Sequence, residues 1–264
     1  MVTVVNWNPR RKLFRKKPWS YIPLYKRPNN FGDLIGPVVV DGMLRALELS
    51  PKQGVRGDQR LLTVGSILHL AQSGDVIWGS GVNGKIPDRR HRFSEIDVRA
   101  VRGPLTRDFL LKRSIPCPEI FGDPGILLVK FYSELFGVPD DKEYDLTIIP
   151  NLNDYDIWKG VKEVVDPTSG LDGIARRIAS SRFVVGTSLH AIVLAESMGV
   201  PARLLPSPNE SDFKYEDYYL GTGRGGYRIA NSISQALDLG GEPSYDVSEV
   251  SDRLIGAFPK DLWL

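Results

Sequence analysis

The sequence predicts an α/β protein made of two Rossmann-like halves with a cleft between them. Short apolar runs, such as residues 75–78 and 183–185, have the length and composition of buried strands. Longer segments, such as residues 34–49, repeat their apolar side chains at helical spacing. Strands and helices alternate on both sides of residues 139–142 (PDDK), which we interpret as a linker. This alternation favours parallel sheets with right-handed crossovers in each half.

The linker divides the chain into an N-terminal domain, residues 1–140, and a C-terminal domain, residues 141–264. A last amphipathic helix, over residues 247–258, is expected to return to the N-terminal half. Such a layout resembles that of B-type glycosyltransferases, with the acceptor on the first domain and the donor on the second. A single doubly wound sheet is the alternative.

Composition excludes several classes of protein. The chain has 264 residues, of which 42% are hydrophobic and 25% charged, as in ordinary globular proteins. A net charge of +2 is too small to imply nucleic-acid binding. Its single cysteine, Cys117, cannot form an internal disulfide, which suits a reducing cytoplasm. No apolar run reaches the roughly 18 residues of a membrane span, so we expect a cytoplasmic protein.

Basic residues crowd the first thirty positions, with aromatic residues between them. Clusters occur at residues 10–12, 15–17 and 26–27. One interpretation is a solvated N-terminal arm. The other is peripheral contact with an anionic surface, such as the cytoplasmic face of the inner membrane.

Two polar turns of the N-terminal half carry candidate binding residues. Asn30 and Asp33 precede the helix predicted over residues 34–49, with Asp33 as its N-cap. The strand over residues 75–78 leads into a glycine-rich turn, which lets a backbone approach a ligand closely. A polar loop without a ligand is the alternative for this second turn. Its candidate residues are Gly79, Ser80 and Gly81.

Two charged residues follow later strands of the same half. Arg102 lies between a strand over residues 98–101 and a helix over residues 105–112. A guanidinium there is well placed to bind a phosphate or carboxylate, although a surface or capping arginine would fit equally well. Asp123, in the turn GDPG, either faces the same cleft or forms an Asx turn.

The C-terminal half contains the most distinctive stretch, residues 182–205. A buried strand runs into Thr187, Ser188 and Leu189, and a helix over residues 191–198 follows. Unpaired N–H groups at such a helix start favour anions. His190 adds a titratable group at the same place and is interpreted either as a catalytic acid or base or as a structural histidine.

Residues 209–228 form a polar, aromatic and glycine-rich segment. We interpret it as a long functional loop because it is unusually long for a simple connection. Its candidate residues are Lys214, Tyr215, Tyr218, Tyr219 and Arg224.

Metal and nucleotide chemistry receive little support from the sequence. His69, His91 and His190 lack the spacing of zinc ligands, so no metal is expected. We interpret His69 as a core or boundary residue and His91 as part of an exposed stretch. No P-loop, GxGxxG fingerprint or GxSxG elbow is present in a convincing context.

Several of these segments, in this order, resemble the polysaccharide pyruvyl transferase family. They are residues 30–33, 98–104, 122–125 and 186–201. Residues 75–87, 213–224 and 257–263 make the chain most similar to ketal pyruvate transferases of xanthan-type exopolysaccharide assembly.

The resemblance implies an activity and a set of partners. Such enzymes transfer pyruvate from phosphoenolpyruvate to a terminal hexose, as a cyclic ketal commonly across O4 and O6. The acceptor is usually a lipid-linked oligosaccharide at the cytoplasmic face of the membrane. It implies a B-type glycosyltransferase-like fold and no cofactor beyond the donor substrate. A nucleotide-sugar glycosyltransferase and a non-catalytic binding module are the alternatives.

The resemblance also implies roles for particular residues. Arg102 matches a donor-binding arginine, and residues 188–190 match an Arg-Leu-His triplet around the donor. Ser188 stands where the family has arginine, so another cation is needed, and Lys214 and Arg224 are the candidates. Tyr215 and its neighbouring tyrosines either stack on the acceptor sugar or pack in the core.

Overall fold

We describe the fold from a computed structural model of the chain, for residues 1–12, 25–52 and 59–264. Within these ranges the strands are β1 Val2–Val5, β2 Arg11–Lys12, β3 Tyr25–Lys26, β4 Gln59–Leu62, β5 Val76–Trp78, β6 Asp97–Ala100, β7 Thr147–Ile148, β8 Val184–Gly186 and β9 Ala202–Leu204. In the same ranges the α-helices are α1 Phe31–Ala46, α2 Pro104–Leu111, α3 Leu127–Phe136, α4 Tyr155–Trp158, α5 Leu171–Ala179, α6 Leu189–Ser197, α7 Phe213–Gly221, α8 Ile233–Leu239 and α9 Val247–Gly256.

Two parallel sheets organise the chain. The first has the strand order β1-β4-β5-β6, and the second has the order β7-β8-β9. All neighbouring strands within both sheets run parallel, whereas β2 and β3 form a separate antiparallel pair. Parallel strands of one sheet end at the same edge. Helix α1 lies between β1 and β4 in the chain, α5 between β7 and β8 and α6 between β8 and β9, whereas the connections from β4 to β5 and from β5 to β6 contain only short 3₁₀ turns. The predicted α/β class with parallel sheets is confirmed.

One continuous hydrophobic core joins the two sheets. It contains Ile35 and Trp78 from the first half together with Ile149 and Val184 from the second. Helix α1 packs against both α3 and α5, so it lies between the halves. The division into domains at residue 140 stays a prediction, and the segment proposed as a linker falls between α3 and β7.

The last helix packs against the N-terminal half. Trp78 Nε1 donates a hydrogen bond of 2.8 Å to the carbonyl of Leu254 in α9. Gly122 lies so close to α9 that a Cβ there would be 2.8 Å from a methyl group of Val250. The returning chain therefore packs against β5, an inner strand of the first sheet.

Two expectations about secondary structure were wrong. The predicted functional loop over residues 209–228 contains helix α7, because Tyr215, Tyr218 and Tyr219 have helical spacing and are buried in the core. Residues 2–5 form β1 rather than part of an arm.

Helix α1 begins earlier than predicted. Asn30 is its N-cap, and Asp33 lies inside the first turn, where Asn30 Nδ2 donates to it at 3.0 Å. An acidic side chain in the first turn interacts favourably with the helix dipole.

The predicted basic arm falls mainly on residues 13–24, which lie outside the described residues. In the described part of the chain, no helix combines the length and the apolar character needed to cross a bilayer.

Candidate functional site

A cavity of about 540 Å³ lies where the two sheets face each other. Ligand pockets commonly measure about 300–1,000 Å³, so this volume suits a small-molecule site. Loops that follow the carboxyl ends of strands from both sheets line it, as ligand sites of parallel α/β proteins usually are. These loops contribute Trp7 after β1, Ser66 after β4, Asn83 and Lys85 after β5, Asn151 and Asn153 after β7, Ser188 and His190 after β8, and Glu210 and Lys214 after β9.

The N-terminal ends of three helices of the described chain also meet at this cavity. Asn30 and Asp33 belong to the start of α1, Leu189 to the start of α6, and Lys214 to the start of α7. The first turn of a helix leaves N–H groups without intrahelical partners and carries a partial positive charge. The arrangement therefore favours a negatively charged ligand.

Six of the residues selected from the sequence line this cavity together. They are Asn30, Asp33, Ser188, Leu189, His190 and Lys214.

Ser188 is the N-cap of α6. Its Oγ accepts a hydrogen bond of 3.4 Å from the backbone N–H of Ala191. Serine is among the preferred N-cap residues, so the side chain at this position serves the helix. The buried Thr187 beside it accepts hydrogen bonds of 3.0 Å from Asn151 through its hydroxyl and one of 2.7 Å from Tyr215 through its carbonyl. Thr187 thus ties β8 to the loop after β7 and lies outside the cavity lining.

His190 packs against Gly32 of α1. A Cβ at position 32 would lie 2.2 Å from His190 Nδ1, so only glycine leaves room for the ring. Burial lowers the pKa of His190 to about 3, with further lowering by the charges of Lys214 and Arg102. The imidazole is therefore neutral at neutral pH. Its buried Nε2 has no hydrogen-bond partner among the described residues.

Gly32→Ala is expected to lower turnover by displacing the His190 ring. The added methyl group would overlap Nδ1, whereas alanine otherwise favours a helix interior over glycine. We expect kcat to fall at least about tenfold, while the melting temperature changes little. Gly173→Ala in α5 is the matched control, since a Cβ there meets no atom within 4 Å. Equal kcat values for the two variants would contradict this account of Gly32.

Two lysines share one glutamate across the cavity. Lys85, after β5, donates to Glu210 Oε1 at 2.7 Å, and Lys214 donates to Oε2 at 2.9 Å. Asn153 adds a hydrogen bond of 3.1 Å to Oε1. This cluster carries a net positive charge and joins the two halves of the chain.

Burial and charge act in opposite directions within this cluster. Burial lowers the pKa of Lys214, and the neighbouring Glu210 carboxylate partly restores it. Burial raises the pKa of Glu210, but the charges of Lys214 and Lys85 outweigh it, so the carboxyl's pKa falls below its usual value. An ionised Glu210 between two ammonium groups is the consistent state at neutral pH.

Arg102 is fully buried beneath the cavity and does not line it. Its Nε donates to Asp217 Oδ2 at 3.0 Å and its Nη2 to the carbonyl of Val82 at 2.9 Å. Its Nη1 donates to Oγ of Ser66 at 2.6 Å, and Ser66 does line the cavity. Arg102 therefore affects the site in two ways. It holds the hydroxyl of Ser66, and its charge helps to lower the pKa of His190.

The glycine-rich turn after β5 supports Arg102 instead of a ligand. A Cβ at Gly81 would lie 2.4 Å from the Arg102 guanidinium carbon, and one at Gly79 would lie 2.2 Å from Pro124. Ser80 is fully buried and donates to the carbonyl of Gly65 at 3.0 Å. The structure brings none of Gly79, Ser80 and Gly81 to the cavity lining.

Asp123 is fully buried at the turn after the bridge at Phe121. Its Oδ1 accepts from Gly125 N at 2.9 Å, as in the Asx turn that was one of the two interpretations. Its Oδ2 has no partner among the described residues, and burial raises the carboxyl's pKa to about 6.

Tyr215 and Arg224 also lie outside the cavity lining. The ring of Tyr215 is buried in the core. Arg224 forms two hydrogen bonds to Glu196, at 2.8 and 2.9 Å, and stacks 4.2 Å from the centre of the Tyr219 ring. Of the two cations considered as replacements for the family arginine, only Lys214 is at the cavity.

Sequence reasoning missed several residues of the site. Lys85 lies within the stretch 75–87 that carried part of the family resemblance, and its position after a strand end was the available signal. The prediction that His91 lies in an exposed stretch was wrong. This residue is 2% exposed and packs on Phe109, with ring centres 4.7 Å apart. The other missed lining residues are Trp7, Ser66, Ile67, His69, Leu70, Asn83, Ile86, Arg90, Arg92, Asn151, Leu152, Asn153 and Glu210.

Comparison with known proteins identifies a protein family that this chain matches. The family model described as polysaccharide pyruvyl transferase matches residues 53–208. Succinoglycan biosynthesis protein ExoV of Rhizobium meliloti (strain 1021) is 27% identical over an alignment of 203 residues, and the match covers 72% of this chain and 60% of ExoV. The chain therefore matches less than two thirds of that relative's length. Uncharacterized protein L143 of Acanthamoeba polyphaga mimivirus is 26% identical over 259 residues, covering 86% of this chain and 85% of L143.

A solved structure supports the fold. A functionally uncharacterised protein from Klebsiella pneumoniae subsp. pneumoniae NTUH-K2044 superimposes with a TM-score of 0.52 and 11% sequence identity. The alignment covers 88% of this chain and 92% of that protein. The family match spans well over half of the 264 residues and includes Lys85, Ser188 and His190. The chain belongs to the polysaccharide pyruvyl transferase family.

Proposed function

We propose that this protein transfers pyruvate from phosphoenolpyruvate to a terminal hexose of a lipid-linked oligosaccharide, forming a 4,6-linked cyclic ketal in bacterial exopolysaccharide biosynthesis. Family membership and the similarity to a succinoglycan biosynthesis protein support this proposal. The observation that carries it is the pairing of a neutral histidine with a net positive lysine cluster in one cavity.

The proposed donor carries a phosphate and a carboxylate. Lys85 and Lys214 reach the cavity from opposite halves of the chain, and each offers an ammonium donor to an anionic oxygen. The N–H groups at the starts of α6 and α1 supply further positive potential. In this proposal Lys214 provides the charge that Ser188 lacks, while Arg102 adds its field from below.

The proposed reaction needs one group that moves a proton at neutral pH. A proton is added to the methylene carbon of phosphoenolpyruvate, and a hexose hydroxyl attacks C2. Phosphate then leaves, and the second hydroxyl closes the ring and gives its proton to phosphate. We assign the first proton transfer, from the attacking hydroxyl to the methylene carbon, to Nε2 of His190. A bound dianion would raise the low pKa of this imidazole and so favour the transfer.

The proposal extends to the fold and the location. Two parallel sheets whose carboxyl ends face one cavity, with a last helix that returns to the first half, favour a B-type glycosyltransferase-like arrangement. We further propose that the protein works at the cytoplasmic face of the inner membrane, with the basic N-terminal segment as its peripheral contact.

Turnover and binding assays test this function. Purified protein, phosphoenolpyruvate and a lipid-linked oligosaccharide with a terminal hexose should release phosphate and give a product with one added pyruvate ketal by mass spectrometry. Phosphoenolpyruvate should also raise the melting temperature more than nucleotide sugars do. Stabilisation by a nucleotide sugar alone, with no phosphate release, would favour a glycosyltransferase and reject the proposal.

Lys214→Met is expected to weaken phosphoenolpyruvate binding by about 10- to 100-fold, the loss of one charge-assisted hydrogen bond. Glu210 keeps Lys85 as its partner in this variant, so the fold should be retained. Isothermal titration calorimetry gives the dissociation constant. Lys130→Met removes an exposed lysine paired with Asp252 and is the matched control, expected to bind as the wild type does. Equal binding by both variants would remove Lys214 from the donor site.

A further inference from the structure

Part of the cavity lining differs in chemistry from the lysine cluster. It is aromatic and apolar and comprises Trp7, Ile67, His69, Leu70 and Ile86, of which Trp7 and His69 are in contact. The proposed donor is a small anion that suits the lysine cluster. The aromatic part of the lining therefore needs a different occupant.

Trp7 presents an accessible aromatic ring in this part of the lining. Its side chain is 43% exposed although it lines the cavity. The ring packs edge to face with His69, with centres 5.9 Å apart and planes inclined at 63°. Since β1 pairs with β4 in register from Val2 to Val5, the segment that holds Trp7 starts from a fixed strand end. The ring is thus both accessible and positioned.

A chain of ring contacts anchors Trp7 in the core. His69 lies 6.3 Å from His91 in a second edge-to-face contact, and His91 packs on Phe109 and Phe93. His91 is nearly fully buried, so the aromatic wall formed by Trp7 and His69 packs against the protein interior. A rigid aromatic wall costs little entropy when it binds a flat ligand.

The wall is uncharged at neutral pH. Burial lowers the pKa of His69, and the neighbouring His91 and Arg90 lower it further. Burial likewise lowers the pKa of His91, with Arg113 adding to the effect. The neutral imidazoles and the indole add no charge of their own, whereas the guanidinium of Arg90 lies near enough to lower the pKa of His69.

Hydrogen-bonding groups also line the cavity. They include Asn30, Asn83 and Arg90, and the charge of Arg90 acts on His69 of the aromatic wall. A surface that combines a flat aromatic ring with amide and guanidinium groups suits a pyranose. The C–H bonds of one sugar face pack on the ring, and the hydroxyls at the sugar's edge accept and donate hydrogen bonds.

We infer that the wall of Trp7 and His69 is the acceptor subsite, where a hexopyranose stacks on the indole of Trp7. This inference rests on the proposed function. It places the sugar beside the donor in the same cavity, where His190 would meet the attacking hydroxyl.

Variants of Trp7 test the inference through the acceptor alone. Calorimetry measures the binding of 4-nitrophenyl β-D-galactoside and 4-nitrophenyl β-D-glucoside to the full-length protein in the presence of phosphoenolpyruvate. In separate phosphate-release assays, the concentrations of phosphoenolpyruvate and of the glycoside are both varied. Trp7→Ala should raise the acceptor Kd and KM about tenfold, the loss expected for one ring contact, and leave phosphoenolpyruvate binding unchanged. Trp7→Phe, which keeps a flat ring, should restore most of the acceptor affinity. Melting temperatures of both variants should match that of the wild type.

Two results would overturn the inference. Unchanged acceptor binding in Trp7→Ala would show that the sugar sits elsewhere, and the proposed function would stand if turnover persisted. An equal loss of phosphoenolpyruvate and acceptor binding would mean that Trp7 only maintains the cavity. A wild-type protein that binds the hexoside through Trp7 but releases no phosphate would support the subsite and count against the proposed reaction.

Discussion

Replacing His190 with glutamine is expected to lower kcat by about 10²- to 10⁴-fold while phosphoenolpyruvate still binds. That range is typical for the loss of one general acid or base. Glutamine retains hydrogen-bonding groups of similar reach but cannot carry a proton between the attacking hydroxyl and the methylene carbon. Phosphate release under saturating substrates gives kcat, and calorimetry gives the donor affinity. A variant with wild-type kcat would exclude His190 from the proton transfer.

The same variant should change how stability depends on pH. The folded protein holds the pKa of His190 at about 3, below its usual 6.5, because burial and two nearby cations disfavour the charged ring. As pH falls below about 6.5, the unfolded chain binds a proton that the folded chain does not, so stability declines toward pH 3. His190→Gln should therefore lose less stability between pH 6.5 and 4 than the wild type.

Asp123 changes the pH dependence of stability in the opposite direction, and it is present in both the wild type and His190→Gln. Burial raises its pKa to about 6 from a usual 3.8, so its contribution is present below pH 3.8 and is lost as pH rises through about 6. Comparing denaturation midpoints of wild type and His190→Gln at each pH cancels this contribution. Parallel profiles for the two proteins would contradict the low pKa of His190.

Arg102→Met is expected to destabilise the fold by about 3–5 kcal/mol, since it leaves the Asp217 carboxylate buried without its cation. Both side chains of this pair are fully buried, at 0% exposure. Thr106 still donates to Asp217 through its N–H at 3.0 Å and its hydroxyl at 2.6 Å, which keeps the loss within that range. Urea denaturation monitored by circular dichroism measures the change in unfolding free energy.

Arg99→Met provides a matched control in the same strand region. Arg99 pairs with Asp97 and Asp261 at 2.8 Å, but all three side chains are substantially exposed. Exposed ion pairs contribute about 0–1 kcal/mol, so this variant should be close to the wild type. If Arg102→Met were equally mild yet abolished phosphoenolpyruvate binding, Arg102 would be a direct donor ligand, as the family resemblance implied.

The position of His190 was largely predictable because its signals are local. A buried run that ends in Gly186, a serine at an N-cap and an apolar helix together placed His190 at the carboxyl end of a strand. The alternation of strands and helices indicated parallel sheets for the same reason. Local patterns of this kind can be recognised in a sequence because hydrogen bonding and burial within a few residues determine them.

The misplaced residues were those whose partners lie far away in the chain. Arg102 was expected to bind a ligand because residues at strand ends commonly face a cleft. Instead, Asp217, 115 positions later in the chain, binds it in the protein interior. Arg224 is held by Glu196 under a layer of tyrosines, and the segment between residues 209 and 228 folds into α7 because its tyrosines reach the common core.

The sequence by itself determined the α/β class, the position of His190 and the family to which the chain belongs. Only the tertiary structure decided which cations face the cavity, since Lys85 and Glu210 are 125 positions apart and meet across the two halves. It also decided that Trp7 stands at the cavity and that Arg102 lies beneath it. The physical reason is that a charge or a ring acquires its role from the burial and the partners around it, and these depend on contacts between distant parts of the chain.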